Sequence, residues 1–315
     1  MERWMRILYG KGVWAWMESE IPQAIDMAQA IGARIVLFKT GQEGEYFERA
    51  ARRAVQQIYD AGLIPCAWPV ITCHDPDAEA EVAIQTILDG YVGLVFDIER
   101  PASGQHAGAA RLGERMIETE LPPEVMFFTS LPNISANLDL PYAAMSRFCK
   151  GGFMPQAYAT FGWSPHYMLD VVAYREFHLW AQAHGVQLPM YPILGLYRDE
   201  HGRDPLASDE IRAWLDVLAD HGPTFFSVYR AGVFPEEAWP LLAAFETTPR
   251  GQTPPQPAVE GVYVTVRPGE TIAQLCAQHH CTMAQFWEWN GHLWDARSKP
   301  REPRLLEHGW IVRVG

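Results

Sequence analysis

A chain of 315 residues has room for one large domain and a small second one, and at 48% hydrophobic residues it can bury a sizeable core. Its formal net charge of −13 is unevenly placed: residues 261–315 hold six Lys and Arg against five Asp and Glu, which leaves −14 on residues 1–260. Such an acidic body is repelled by a phosphate backbone, which excludes nucleic acid as the main partner, and no apolar run reaches the roughly 18 residues of a membrane span.

The opening stretch, Met1 to Lys11, carries charge but no long apolar segment and no small-residue cleavage site, so it does not read as a standard secretory signal. From there to residue 245, short apolar runs alternate with amphipathic stretches. The runs are Gly12 to Met17, Arg34 to Lys39, Leu63 to Ile71, Gly93 to Ile98, Val125 to Ser130, Gly152 to Tyr158, Met190 to Leu196 and Phe225 to Tyr229. Between them the spacing predicts helices over Gln23–Ile31, Tyr46–Tyr59, Ala78–Leu88, Ala109–Thr119, Leu138–Phe148, Met168–His184, Ser208–Asp220 and Pro235–Phe245. Strand and helix in alternation imply parallel strands with right-handed crossovers, and eight such units are the count of a (β/α)8 barrel. An open doubly wound sheet would not call for eight units. No Gly-rich phosphate loop follows the first run, and nothing else in the chain asks for a cofactor.

The fourth run is the chemically informative one. Gly93-Leu94-Val95-Phe96 reads as a strand buried on both faces, and it ends in Asp97 and Glu99, whose i, i+2 spacing puts both acids on one side of the strand end. Paired carboxylates supply what glycosidic cleavage needs: a proton for the leaving oxygen and a partner for the developing positive charge. In a barrel, chemistry gathers at the carboxyl ends of the strands. Those ends carry Trp14 and Trp16, Lys39, Trp68, Thr129 and Ser130, Gln156 and Tyr158, Tyr197 and Arg198, and Tyr229 and Arg230. Aromatic faces with polar tips suit sugar rings, whose C–H faces pack on the aromatics while their hydroxyls seek hydrogen bonds.

Other chemistry is less well supported. His74 and Asp75 with Glu79 or Glu81 have no H-x-x-x-H spacing, so no metal site is expected, and Ser130 lacks a G-x-S-x-G context. Five cysteines (Cys66, Cys73, Cys149, Cys276 and Cys281) without a CxxC pair predict neither a disulfide framework nor a zinc site.

After Phe245 the texture changes to Pro and Thr without apolar period. The expected division is a barrel over 1–246, a semi-extended linker over 247–260 and a small module over 261–315. The module reads strand (Val262–Val266), Pro268-Gly269 turn, helix, a second helix with Thr282 as N-cap and Asn290-Gly291 as stop, then strand (Gly309–Val314).

Its Y-x-x-V-x-x-G-E-T opening, spaced apolar helix and W-N closing the second helix resemble a LysM domain, which implies binding to N-acetylglucosamine polymers such as peptidoglycan or chitin. Cys276 and Cys281 fall where that family places small buried residues. The segment His292 to Glu307 is longer than the family's usual turn. The barrel in turn resembles, distantly, the family 25 lysozymes and family 18 chitinases, in which a DxE ends the fourth strand. That resemblance implies Glu99 as general acid, Asp97 holding the substrate's acetamido group or bearing on the oxocarbenium charge, and Tyr158 assisting from Met154-Pro155-Gln156-Ala157-Tyr158. Trp14, Trp16, Lys39, Trp68, Gln156, Tyr197 and Tyr229 would bind substrate. In the chitinase pattern D-x-x-D-x-D-x-E, the first two acids are replaced here by Val92 and Val95, and the lysozyme pattern's first-strand acid is absent from Gly12-Val13-Trp14-Ala15-Trp16. The expectation is a hydrolase of peptidoglycan or a related N-acetylglucosamine polymer, lysozyme- or glucosaminidase-like, anchored by its LysM module as a phage lysin would be. The alternative is a barrel that grips glycan without cutting it, as part of a phage or secretion particle.

Overall fold

The computed structural model describes residues 8–199, 204–249, 261–267, 269–290 and 311–315. The lengthened segment His292–Glu307 and most of the linker lie outside them. Eight strands alternate with helices: β1 Gly10–Ala15, β2 Ile35–Phe38, β3 Ile64–Ala67, β4 Gly93–Ile98, β5 Met126–Ser130, β6 Gly152–Tyr158, β7 Ile193–Gly195 and β8 Phe225–Val228. Each pairs in parallel with its sequence neighbours, and β8 returns to β1 with Phe225 opposite Gly10. The sheet is therefore a closed barrel with no free edge, as the eight alternating units predict. All of β4 is buried, which is why it reads as an unbroken apolar run until Asp97. Gly93 starts it because a Cβ there would come within 3.0 Å of Cys66 Sγ on β3.

Outside the barrel lie α1 Ile21–Ile31, α2 Glu48–Asp60, α3 Pro76–Leu88, α4 His106–Glu118, α5 Tyr142–Phe148, α6 Glu176–His184, α7 Ser208–Asp220 and α8 Trp239–Ala244. Prolines explain most departures from the expected boundaries. The third run breaks at Trp68-Pro69 into β3 and a two-residue piece, Val70–Ile71, that pairs with Asp97 and Ile98. Helix α5 starts only after Pro141, and α8 only at Trp239, where Pro240 sits in a first turn that needs no donor. The expected helix Met168–His184 is a π-helical stretch, Tyr167–Arg175, running into α6. The loop after β2 contains a tight antiparallel pair, Gly41–Gln42 with Glu45–Tyr46, which the apolar pattern does not foreshadow.

The C-terminal module has its own core of Val266, Ile272, Leu275, Cys276, Phe286, Val312 and Val314. Strand β9, Tyr263–Thr265, pairs antiparallel with β10, Ile311–Arg313, around α9 Ile272–His279 and α10 Met283–Asn290. Thr271 caps α9 in a capping box with Gln274. Cys276 belongs to the core as expected, whereas Cys281 is only half-buried because it lies in the turn between the helices. The W-N signature has a physical basis in buried Asn290, whose amide donates to the Phe286 and Arg313 carbonyls (both 2.8 Å) and accepts from the Arg313 N–H at 2.7 Å. Asn290→Leu leaves these backbone groups unpaired and is expected to cost the module about 3 kcal/mol. Hydrogen exchange checks it: the Arg313 amide should lose its protection, and full protection in the variant would refute this role.

Candidate active site

The two acids of the fourth run are delivered by different backbone. Asp97 belongs to β4 and is 7% exposed, while Glu99 stands just past the strand, where the chain turns into the short helix Arg100–Ala102, and is half-buried. Across the barrel interior, Gln156 of β6 donates its amide Nε2 to both, to Asp97 Oδ1 at 3.1 Å and to Glu99 Oε1 at 3.0 Å. One nitrogen bonded to both limits the separation of the two acceptor oxygens to about 6 Å.

Burial raises the Asp97 pKa well above its ordinary 3.8, the neighbouring Glu99 carboxylate adds to the rise, and the Lys39 ammonium opposes it. Burial thus holds Asp97 towards its protonated form. Lys39, 6% exposed, donates to Gln42 Oε1 at 2.7 Å, and burial lowers its pKa against the pull of Asp97, Glu43 and Glu99. For stability the sign follows directly. An acid whose folded pKa is raised holds a proton that the unfolded chain has released, so stability falls as pH rises from about 4 through the raised value. Asp97→Asn, which keeps the acceptor for Gln156, should match the parent chain at pH 4 and exceed it in urea denaturation at pH 8. A variant that is no more stable at pH 8 would contradict the assigned burial cost.

The strand-end aromatics divide into packed and presented groups. Trp14 and Trp68 are 2% and 3% exposed, with ring centroids 5.3 Å apart, and both lie within 6.2 Å of the Tyr229 ring. Their N–H groups are bonded to Ser227 Oγ (2.8 Å) and the Ala15 carbonyl (3.1 Å). They wall the mouth rather than offer an open face. Tyr229 and Tyr158 stack at 5.4 Å, both close enough to feel the charges of Asp97 and Glu99, and Tyr197 lies 6.5 Å from Tyr158. Trp16, by contrast, is 44% exposed.

Beyond Tyr158 the row continues through Phe161 (6.3 Å), Trp163 (5.5 Å further) and Tyr167 (5.6 Å further), three rings that the strand-end reading does not include. Their signal is the Phe161-Gly162-Trp163 sequence directly after the sixth run. Other strand-end residues turn away: Arg198 pairs with Asp204 and Glu210, and Ser130 hydrogen-bonds Tyr142. Glu79 is committed to the Thr72 and Cys73 backbone N–H groups and the Thr72 hydroxyl, which takes it out of any set with His74. Two open depressions lie elsewhere, one at the opposite end of the barrel beside Lys11, Ile31 and Phe245, the other beside Met17, Pro22 and Gln57. Neither borders Glu99.

Residues 264–297 match the LysM domain. Among curated proteins none matches the chain. Among solved structures, the spore cortex-lytic enzyme SleL of Bacillus megaterium QM B1551 is 12% identical at a TM-score of 0.50, covering 76% of this chain and 75% of its own. A chitinase from Rhizomucor miehei is 10% identical at 0.53, over 75% of this chain and 99% of its own. The catalytic domain of the hyperthermophilic chitinase from Pyrococcus furiosus is 11% identical at 0.52, over 77% and 96%. At such identities the likeness is one of fold. The chain is thus a closed parallel barrel of the architecture seen in those enzymes, followed by a LysM domain, the module that binds peptidoglycan and chitin-like glycans.

Proposed function

We propose that the barrel hydrolyses the N-acetylglucosamine-type linkages of the polymer its LysM domain holds, peptidoglycan first among them, and that Glu99 and Asp97 carry the reaction. The observation that carries this reading is the Gln156 amide bound to both acids at a strand end, since it ties two carboxyl groups to one nitrogen. Glu99, the more exposed of the two, gives its proton to the leaving glycosidic oxygen. Asp97 orients the substrate's acetamido group, whose oxygen attacks the anomeric carbon, and Tyr158 supports that group from the β6 end. Water then opens the cyclic intermediate with Glu99 as base. Attack by the acetamido oxygen and then by water are two displacements at the anomeric carbon, so the product keeps the starting configuration.

In this reading the barrel spans 1–246 and the tether 247–260, and the LysM domain of 261–315 raises the local concentration of glycan. No helix among the described residues is long and apolar enough to cross a membrane. The experiment is release of new reducing ends from purified cell walls and from soluble N-acetylglucosamine oligomers by the full chain. Steady release from either supports hydrolysis. Wall pelleting with no release supports a second reading, a barrel that only grips, which is favoured by Val92 and Val95 in place of acids and by the two packed tryptophans at the mouth.

A further inference from the structure

On a body carrying net negative charge, two buried cations converge on one exposed indole. Lys39 Nζ lies 5.4 Å and Arg230 Cζ 4.6 Å from the Trp16 ring centroid, with Lys39 and Arg230 6% and 9% exposed and Trp16 44%. Packing alone does not account for the pair, because burying an ammonium and a guanidinium is costly unless each is compensated. Compensation here is incomplete. Arg230 Nη1 is buried without a hydrogen bond, its nearest carboxylate oxygen being Glu20 Oε1 at 3.4 Å. Glu20 spends its other oxygen on the Trp16 and Met17 N–H groups, at 2.7 and 3.3 Å. Lys39 donates one hydrogen bond among the described residues, to Gln42, and its carboxylate neighbour Asp97 is held towards its neutral form by burial.

We propose that Lys39, Arg230 and Trp16 form a subsite for a pyranose that bears a carboxylate. The indole takes the ring face, and the two cations take the acid through charge-assisted hydrogen bonds. The inference rests on the glycan-cleaving reading of the same barrel mouth and narrows it. A polymer whose sugars carry acids, such as the lactyl-ether sugar of peptidoglycan or a uronic acid, fits this site, and an all-neutral chitin chain does not use it. The Lys39 ammonium is close enough to feel the charges of Asp97 and Glu99, and Arg230 follows Tyr229, whose ring feels the same two acids, so the acidic sugar sits at the barrel mouth that holds the acid pair.

The test compares equilibrium binding of the full chain, by ligand-observed NMR, to N-acetylmuramic acid, its methyl ester, glucuronic acid and N-acetylglucosamine. The acid should bind about tenfold or more tightly than its own ester, the return expected of a charge-assisted contact, and high salt should erase the difference. Lys39→Met should lose that preference while leaving the LysM domain's own response to N-acetylglucosamine unchanged. Tighter binding of N-acetylmuramic acid than of glucuronic acid assigns the subsite to wall glycan, and the reverse order assigns it to a uronate polymer. Equal binding of acid and ester by the parent chain, or a preference that survives Lys39→Met, overturns the proposal. Because binding is read without turnover, a chain that prefers the acid but releases no reducing ends keeps this subsite and loses the hydrolytic reading.

Discussion

Glu99→Gln is expected to slow glycan cleavage by about 10³-fold, within the range that a positioned general acid supplies. The substitution is isosteric, and the amide oxygen at that position still accepts from Gln156 Nε2, which now approaches Glu99 Oε1 at 3.0 Å. Substrate binding and fold therefore stay, so the loss should fall on kcat with KM little changed. In the proposed reaction half-buried Glu99 meets the glycosidic oxygen, and Asp97, 7% exposed and inside the strand, does not. Reducing-end assays on soluble oligomers measure the effect without interference from wall attachment. A Glu99→Gln chain that cleaves at the parent rate would place the proton donor elsewhere in the barrel.

Removing residues 247–315 is expected to weaken retention on insoluble walls by about 10²-fold or more, since a tethered second module turns later encounters into intramolecular ones. Cleavage of short soluble oligomers should be unchanged, because the barrel keeps its own core, and the LysM core of Val266, Ile272, Leu275, Cys276, Phe286, Val312 and Val314 is a separate cluster. Among the described residues Leu138 packs against that small core and α6 touches β10, and exposing so small a contact costs little beside the barrel's buried interior. Co-sedimentation with purified walls reads the outcome. Undiminished pelleting of the shortened chain would show that the barrel, and not the LysM domain, holds the polymer.

The barrel was legible in the sequence because strands buried on both faces read as unbroken apolar runs and the helices between them keep one polar face. Boundaries slipped where a proline decided them, at Pro69, Pro141 and Pro240, since proline ends an element on one side and is tolerated on the other. The LysM signature was legible because its residues have fixed local tasks, Thr271 capping α9 and Asn290 tying α10 to β10. Asp97 and Glu99 stood out as acids closing an apolar run. What local pattern does not carry is which side chains meet across the closed barrel. The Gln156 bridge joins strands with β5 between them, and the stacking of Tyr158 on Tyr229 joins β6 to the end of β8. For the same reason Trp14, Trp16 and Trp68 look alike in sequence, yet two are packed and one is presented. Phe161, Trp163 and Tyr167 escape a reading that stops at strand ends.

Proton NMR of the first product formed from a soluble N-acetylglucosamine oligomer by the full-length chain addresses the acid pair most directly. The proposed acetamido-assisted route predicts a new reducing end that appears first as the β-anomer and then mutarotates. An α-anomer appearing first would contradict the assignment of Glu99 as acid and base with Asp97 holding the acetamido group.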